Sequence, residues 1–300
     1  MKETFTCSLC PRRCGVQRTA HAGEGVCREG TLPVLARAGV HEWEEPCISG
    51  TRGSGTVFFS GCALRCVFCQ NHQISAGGYG AEVSVSRLRE IYFELIAKGV
   101  HNINLVNPTH FAHAVIESLH EPLPVPVVYN CGGYERAETL RALAGKVQIY
   151  LPDLKYLDPA LAARYSGAPD YPGVAKAAIL EMVRQVGPCV FDDEDILQRG
   201  VVIRHLVLPG AVDNTLDVID WVNETFAPGE VLFSLMSQYI PCGEAGRFPE
   251  IDRTISEEEY RRVEDYLLCC SLEDGYLQQR SAASDCYIPP FDLEGVLKNE

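Results

Sequence analysis

The chain has 300 residues, 46% hydrophobic and 22% charged, which is the balance of a globular protein with enough length to bury one large core or two ordinary ones. A net charge of −14 argues against non-specific nucleic-acid binding, which needs phosphates neutralised by Lys and Arg. No apolar run approaches the roughly 20 residues that span a bilayer, and the first residues lack the apolar core of a signal peptide, so a cytoplasmic chain with no membrane partner is expected.

Residues 1–50 read as loop-like, rich in Gly and Cys, with little apolar periodicity. Cytosolic thiols stay reduced, so the 14 cysteines point to metal or catalysis rather than disulfides. Cys7, Cys10, Cys14 and Cys27 make a four-thiol set, suited either to zinc or to an auxiliary iron–sulfur cluster, and spacing alone does not choose between them. The segment has too few apolar residues to fold without such a staple. Residues 1–50 are therefore expected as a small metal-binding extension, and 51–300 as the core with a C-terminal helical tail.

From about residue 55 the pattern repeats. Strands are predicted at 56–60, 102–107, 126–130, 148–153, 201–208 and 231–236, and helices at 84–98, 110–120, 135–144, 171–186, 214–226 and 256–270. Ser256 and Glu259 form a capping-box pattern for the last helix. The segment 187–200, with Asp192, Asp193, Glu194 and Asp195, reads as an acidic surface loop. Strands alternating with helices predict right-handed βαβ units and a parallel sheet, either a partial (β/α)6 barrel or an open doubly wound sheet.

Polar residues recur just after each predicted strand: Cys62, Asn107, Asn130, Asp153, Arg204 and Gln238. In barrels, catalytic groups gather at those C-terminal ends. Asp153 and Lys155, two apart on a strand, face the same way. His205 falls on the opposite face from Arg204 and reads as a core histidine. His110 and His113, at i and i+3 on a predicted helix, lack an acidic or third histidine companion and read as surface or capping residues.

Cys62, Cys66 and Cys69 carry the most information. Three thiolates can hold three irons of a [4Fe–4S] cluster and leave the fourth without a protein ligand, whereas an electron-transfer cluster takes four cysteines. The bland readings are a buried stripe on one helix face and a zinc site. Against the stripe, the triplet follows a β-rich run ended by Gly61 and is surrounded by Arg65, Gln70, Asn71 and His72.

The Cys-x3-Cys-x2-Cys spacing after the first strand of such an array resembles the radical S-adenosylmethionine (SAM) enzymes. Segments 55–75, 102–111, 128–135, 149–156, 203–210 and 234–241 are similar to the pyruvate formate-lyase activating enzyme group, and more narrowly to its uncharacterised homologues with a cysteine-rich N-terminal extension. The resemblance implies a partial radical SAM barrel with a [4Fe–4S] cluster on Cys62, Cys66 and Cys69, and SAM as cofactor. It also implies SAM contacts from Phe68, Asn107, Thr109, Asn130, Asp153, Lys155 and Arg204, with Arg204 on the SAM carboxylate. Asn107, Pro108 and Thr109 replace the family's Gly-Gly-Glu, so no carboxylate stands at that position. The implied reaction is reductive SAM cleavage followed by hydrogen abstraction from a glycine of a protein or peptide, such as a glycyl radical enzyme, in an anaerobic setting with flavodoxin or ferredoxin as electron donor. Radical modification of a small molecule or another peptide residue is the alternative chemistry, and an iron–sulfur electron carrier or sensor is the non-enzyme alternative.

Overall fold

The computed structural model describes residues 4–21, 23–272, 274–283 and 288–298. β1 (Phe5–Thr6) and β2 (Gln17–Arg18) form a small antiparallel pair. Next come β3 (Val34–His41), the one-turn helix α1 (Pro46–Ser49), β4 (Ser54–Phe59), α2 (His72–Ser75), β5 (Ala81–Glu82) and α3 (Val85–Ala97). The chain continues through β6 (Ile103–Val106), α4 (Ala112–Ser118), β7 (Val127–Cys131), α5 (Ala137–Leu143), β8 (Ile149–Pro152), α6 (Pro159–Ser166) and α7 (Tyr171–Val186). It ends with β9 (Val190–Phe191), β10 (Leu197–Leu206), α8 (Val212–Thr225), β11 (Leu232–Met236), α9 (Glu257–Cys269) and β12 (Gly275–Leu277).

The main sheet runs β12-β11-β10-β8-β7-β6-β4-β3-β5, with β9 on β10. Strands β4 to β12 along this path are parallel, and β3, β5 and β9 join antiparallel. Parallel strands are buried on both faces, which is why β4, β6, β7, β8 and β11 contain only buried residues. From β4 to β12 the strands are laid down in chain order on one side. Right-handed crossovers then put α3 to α9 on the same face, and the doubly wound alternative, whose order reverses part-way, is ruled out.

The two faces have different cores. Val57, Leu105, Tyr129, Tyr150 and Ile203 share one large cluster with the helical residues Leu88, Leu140, Ile179 and Ile219. One residue along each strand, Val128, Ile149, Leu151, Val202 and Leu232 point the other way and pack on Cys47 and Ile48 of α1. This short helix plugs the face opposite α3 to α9. Pro46 starts it at N1, and Gly50 ends it with φ 49°, where a Cβ would lie 2.4 Å from Ile196.

β3 departs from the loop-like reading of residues 1–50. Ala36, Ala38 and Gly39 dilute its apolar signal, yet Leu35 to His41 pair with β4. The loop-like description fits only the residues before β3, and the main sheet begins at Val34 rather than after residue 50. The acidic 187–200 segment is likewise more ordered than expected, since β9 and the start of β10 form a hairpin with Asp192–Asp195 at its exposed turn.

At α9 the expected capping box is present: Glu259 N donates to Ser256 Oγ (3.1 Å) and Ser256 N to Glu259 Oε2 (2.7 Å). Ser256→Ala should lower the unfolding free energy by about 1 kcal/mol, read as an earlier urea midpoint with an unchanged slope. An unchanged midpoint would mean that the cap does not hold this helix.

Candidate functional site

A cavity of about 280 Å3 opens on the face that carries α1, above that plug. Its wall continues the inner strand positions two residues further on: Asn130 follows Val128, Arg204 follows Val202 and Ser234 follows Leu232. Cys62, Cys66, Phe68, Cys69, Asn107, Asp153, Lys155 and Gln238 also line it. Of the residues expected to hold the cluster or SAM, only Thr109 lies outside this wall, and the candidate set Cys7, Cys10, Cys14 and Cys27 lies apart from it.

The cysteine loop leaves β4 through Gly61 at φ 77°, where a Cβ would strike the Glu29 side chain at 2.5 Å. Residues 62–70 form bends and turns, so the three cysteines are not a stripe on a helix. Cys62 Sγ accepts from the N–H groups of Leu64 (3.3 Å) and Arg65 (3.5 Å), and Cys66 Sγ from Ser166 Oγ (3.1 Å). Burial, reinforced by the neighbouring thiol Cys66, pushes Cys62 up to about 12 and Cys69 up to about 11, while Lys155 pulls Cys69 down. Among the described residues no three His, Cys, Asp or Glu side chains stand as a ready metal-ion site. The donor set nonetheless suits an iron–sulfur cluster, with three thiols on one loop, N–H groups already aimed at sulfur, a lysine nearby and an open cavity beside them.

Across the cavity sits a buried ion network. Lys155 Nζ lies 2.6 Å from Asp153 Oδ2, and Arg204 Nε donates to Asp153 Oδ1 at 3.0 Å. Arg204 Nη1 reaches Glu44 Oε2 (3.0 Å) and Nη2 reaches Asn130 Oδ1 (2.7 Å). Burial would raise Asp153, but Lys155 and Arg204 hold it below the usual carboxylate range. Burial would lower Arg204, yet Asp153, Glu45 and Glu44 raise it. Glu44 and Glu45 are pushed up by burial despite the opposing charge of Arg204.

The fork of Arg204 donates to Asp153, Glu44 and Asn130 and organises the network in this structure. Thr109 faces away from the cavity and donates to Glu135 Oε1 behind the sheet. The left-handed turn at Asn107 (φ 59°) re-aims the chain there, and burial raises Glu135 to about 8. Asn107 itself stays on the wall, its Nδ2 donating to Gly61 O at 2.6 Å. Phe68 packs edge-on against Tyr156, Tyr165 and Tyr239 while lining the cavity. Gln238 lines the wall and accepts from Gln278 at 2.9 Å.

His110 is neither a surface nor a capping residue. It is fully buried, donates through Nε2 to Ser60 O (2.6 Å), and is lowered to about 3 by burial and Arg18. His113 is half-buried against Thr31 O. His205 is the expected core histidine, donating to Leu154 O (2.6 Å) and accepting from Thr215 (2.9 Å).

Sequence reasoning missed Glu44 and Glu45. Their one local signal is Pro46, which forces the preceding residue into an extended conformation (Glu45 φ −50°, ψ 145°) at the mouth of α1.

No family model matches the chain. It is 27% identical over 267 residues to the uncharacterized protein MJ0674 of Methanocaldococcus jannaschii, covering 86% of this chain and 72% of that one. Among solved structures it is similar to Streptococcus suis SuiB bound to S-adenosylmethionine (TM-score 0.47, 15% identity, 73% of this chain and 45% of SuiB). Methylornithine synthase, PylB, aligns with TM-score 0.47 and 15% identity over 69% of this chain and 59% of PylB. A spore photoproduct lyase mutant aligns with TM-score 0.48 and 11% identity over 73% of this chain and 74% of the lyase. The alignments span less than two thirds of SuiB and of PylB. No described helix is long and apolar enough to cross a membrane.

Proposed function

We propose that the chain is a radical SAM enzyme whose singly wound sheet is a partial barrel. One observation carries the reading: a post-strand loop bearing Cys62, Cys66 and Cys69 opens onto the same cavity as the Asp153–Lys155 pair and Asn107. Cys62, Cys66 and Cys69 would hold a [4Fe–4S] cluster, which supplies the electron that cleaves SAM to methionine and a 5′-deoxyadenosyl radical. Lys155 and Asp153 offer both charges to the zwitterionic end of SAM, and the polar edge of the pocket at Asn107 and Asn130 orients it. Phe68 and its tyrosine neighbours close the wall against water.

The motif resemblance extends the proposal to hydrogen abstraction from a protein or peptide glycine, with flavodoxin or ferredoxin as reductant in an anaerobic cytoplasm. Cys7, Cys10, Cys14 and Cys27 are proposed to hold a second, structural metal.

The decisive experiment is anaerobic reconstitution of the full chain with iron and sulfide, followed by dithionite and SAM. 5′-Deoxyadenosine should form with the wild type and fall to background in Cys62→Ala, Cys66→Ala and Cys69→Ala. A wild type that makes none, or variants that make as much, would sink the reading.

A further inference from the structure

The ion network on the cavity floor does not balance. Three carboxylates, Glu44, Glu45 and Asp153, face two cations, Arg204 and Lys155. Hydrogen bonding is out of balance in the same direction. The amide groups of Asn104 (3.1 Å) and Asn130 (3.2 Å) both donate to Glu44 Oε1, and Arg204 donates to Glu44, Asp153 and Asn130. Two acceptors are then left over: Glu45 Oε2 and Asn104 Oδ1, both buried and without a hydrogen-bond partner. Glu45 is 8% exposed and lines the cavity, and its nearest recorded cation is Arg204 Nη1 at 3.9 Å, beyond hydrogen-bond reach.

Buried acceptors of this kind require a donor, and with three carboxyl groups against two cations a positive donor would offset the burial that raises Glu44 and Glu45. A metal ion answers poorly, because no three side chains stand ready for one among the described residues and the asparagines present N–H groups to Glu44. An ammonium group supplies both the charge and the N–H donors, and Phe58, Val106, Leu206 and Met236 offer an apolar wall for its aliphatic stem.

We infer that Glu45, held in place beside Glu44 and Arg204, is the binding residue for an ammonium group of a molecule taken into this cavity. The inference deepens the proposed function by naming a chemical feature of what that site takes, and it rests on that reading only for the identity of the molecule. SAM and an amine substrate both carry the group.

The test separates the inference from the radical chemistry by using the full chain without iron. n-Butylammonium and its uncharged isostere n-pentane are poorly matched in solubility, so n-butanol serves as the control, with saturation-transfer NMR as the readout. n-Butylammonium should bind saturably, n-butanol at least tenfold more weakly, and Glu45→Gln should lose at least tenfold in ammonium affinity while keeping the wild-type circular dichroism spectrum. Equal binding of the amine and the alcohol by the wild type overturns the inference whether or not the variant folds, and so does a folded Glu45→Gln that binds the amine unchanged. The source is read on reconstituted protein by equilibrium dialysis. A Glu45→Gln loss in SAM affinity that disappears for a SAM analogue lacking the amino group assigns the site to SAM. Unchanged SAM affinity, with the n-butylammonium loss retained, assigns it to an amine substrate.

Discussion

Arg204→Met should destabilise the fold by about 3–5 kcal/mol at pH 8, the usual consequence of removing one partner from a buried charge network. The arginine side chain is 14% exposed and stands between Asp153, Glu44 and Glu45, so methionine fills much of its volume but leaves the carboxylates facing one another. Asp153 keeps Lys155 at 2.6 Å, so the unmet charge falls on the two glutamates. Their folded-state affinity for protons is already raised by burial. A carboxyl raised on folding contributes stability below its unfolded pKa, about 4.3, and loses it as pH rises through the folded value. Removing Arg204 raises both further, so the penalty should grow with pH above the ordinary carboxylate range and shrink as pH falls from 8 towards 5. Asp153 works the other way, because its depressed pKa adds stability that disappears only as pH falls below the ordinary aspartate range. Urea unfolding of both proteins at pH 5 and pH 8 measures the difference. A loss below about 1 kcal/mol, or one that does not shrink on acidification, would show that the network does not carry this charge.

The network also marks where sequence reading stops. β4, β6, β7 and β8 are legible because a buried parallel strand is a short unbroken apolar run between helical stretches, and the residue after such a run stands at the strand's C-terminal end. Asn130, Asp153, Arg204 and the start of the cysteine loop all stand at or within two residues of such an end. Glu44 does not: it meets Arg204 from 160 residues away and belongs to a segment with no period of its own. Ala36, Ala38 and Gly39 hide β3 for a similar reason, because small residues serve a strand whose partner supplies the bulk. Thr109, which the family resemblance assigns to SAM, is turned away from the cavity by a single backbone feature, the left-handed Asn107. His110 and Arg18 are buried polar groups that only the docking of the N-terminal segment encloses, Arg18 donating to His110 O (2.7 Å) and Gly30 O (2.8 Å).

That segment carries the largest expected effect. The described residues before β3 hold only the two-residue strands β1 and β2, too little for a core of their own. Its turns gather the thiols instead: Cys7 N donates to Val16 O, Gly15 N to Cys7 O and Arg13 N to Cys10 O. Cys10 is in electrostatic reach of Cys7 and Cys27, and a Cβ on Gly25 would lie 3.3 Å from Cys14 Sγ and 3.9 Å from Cys27 Sγ, so a larger residue there would crowd the set. Between Cys10 and Cys14, Arg12 crosses to the main domain and donates to Ala63 O (2.9 Å) and Ser166 O (2.7 Å), which ties this segment to the Cys62 loop. Under the proposed structural metal, the full chain carrying Cys62→Ala, Cys66→Ala and Cys69→Ala should still purify with a bound metal, and adding Cys10→Ser and Cys27→Ser should remove it. Structural zinc sites supply about 10–16 kcal/mol of apparent binding free energy, so loss of the metal should open the segment before β3 to limited proteolysis and lower the thermal midpoint of the whole chain. Cobalt loaded in its place should show thiolate charge-transfer absorption. A triple-alanine protein that holds neither zinc nor cobalt nor iron would leave the four cysteines as packed thiols, with contacts such as those of Arg12, Arg18 and Thr139, which donates to Leu9 O (2.6 Å), fastening the segment.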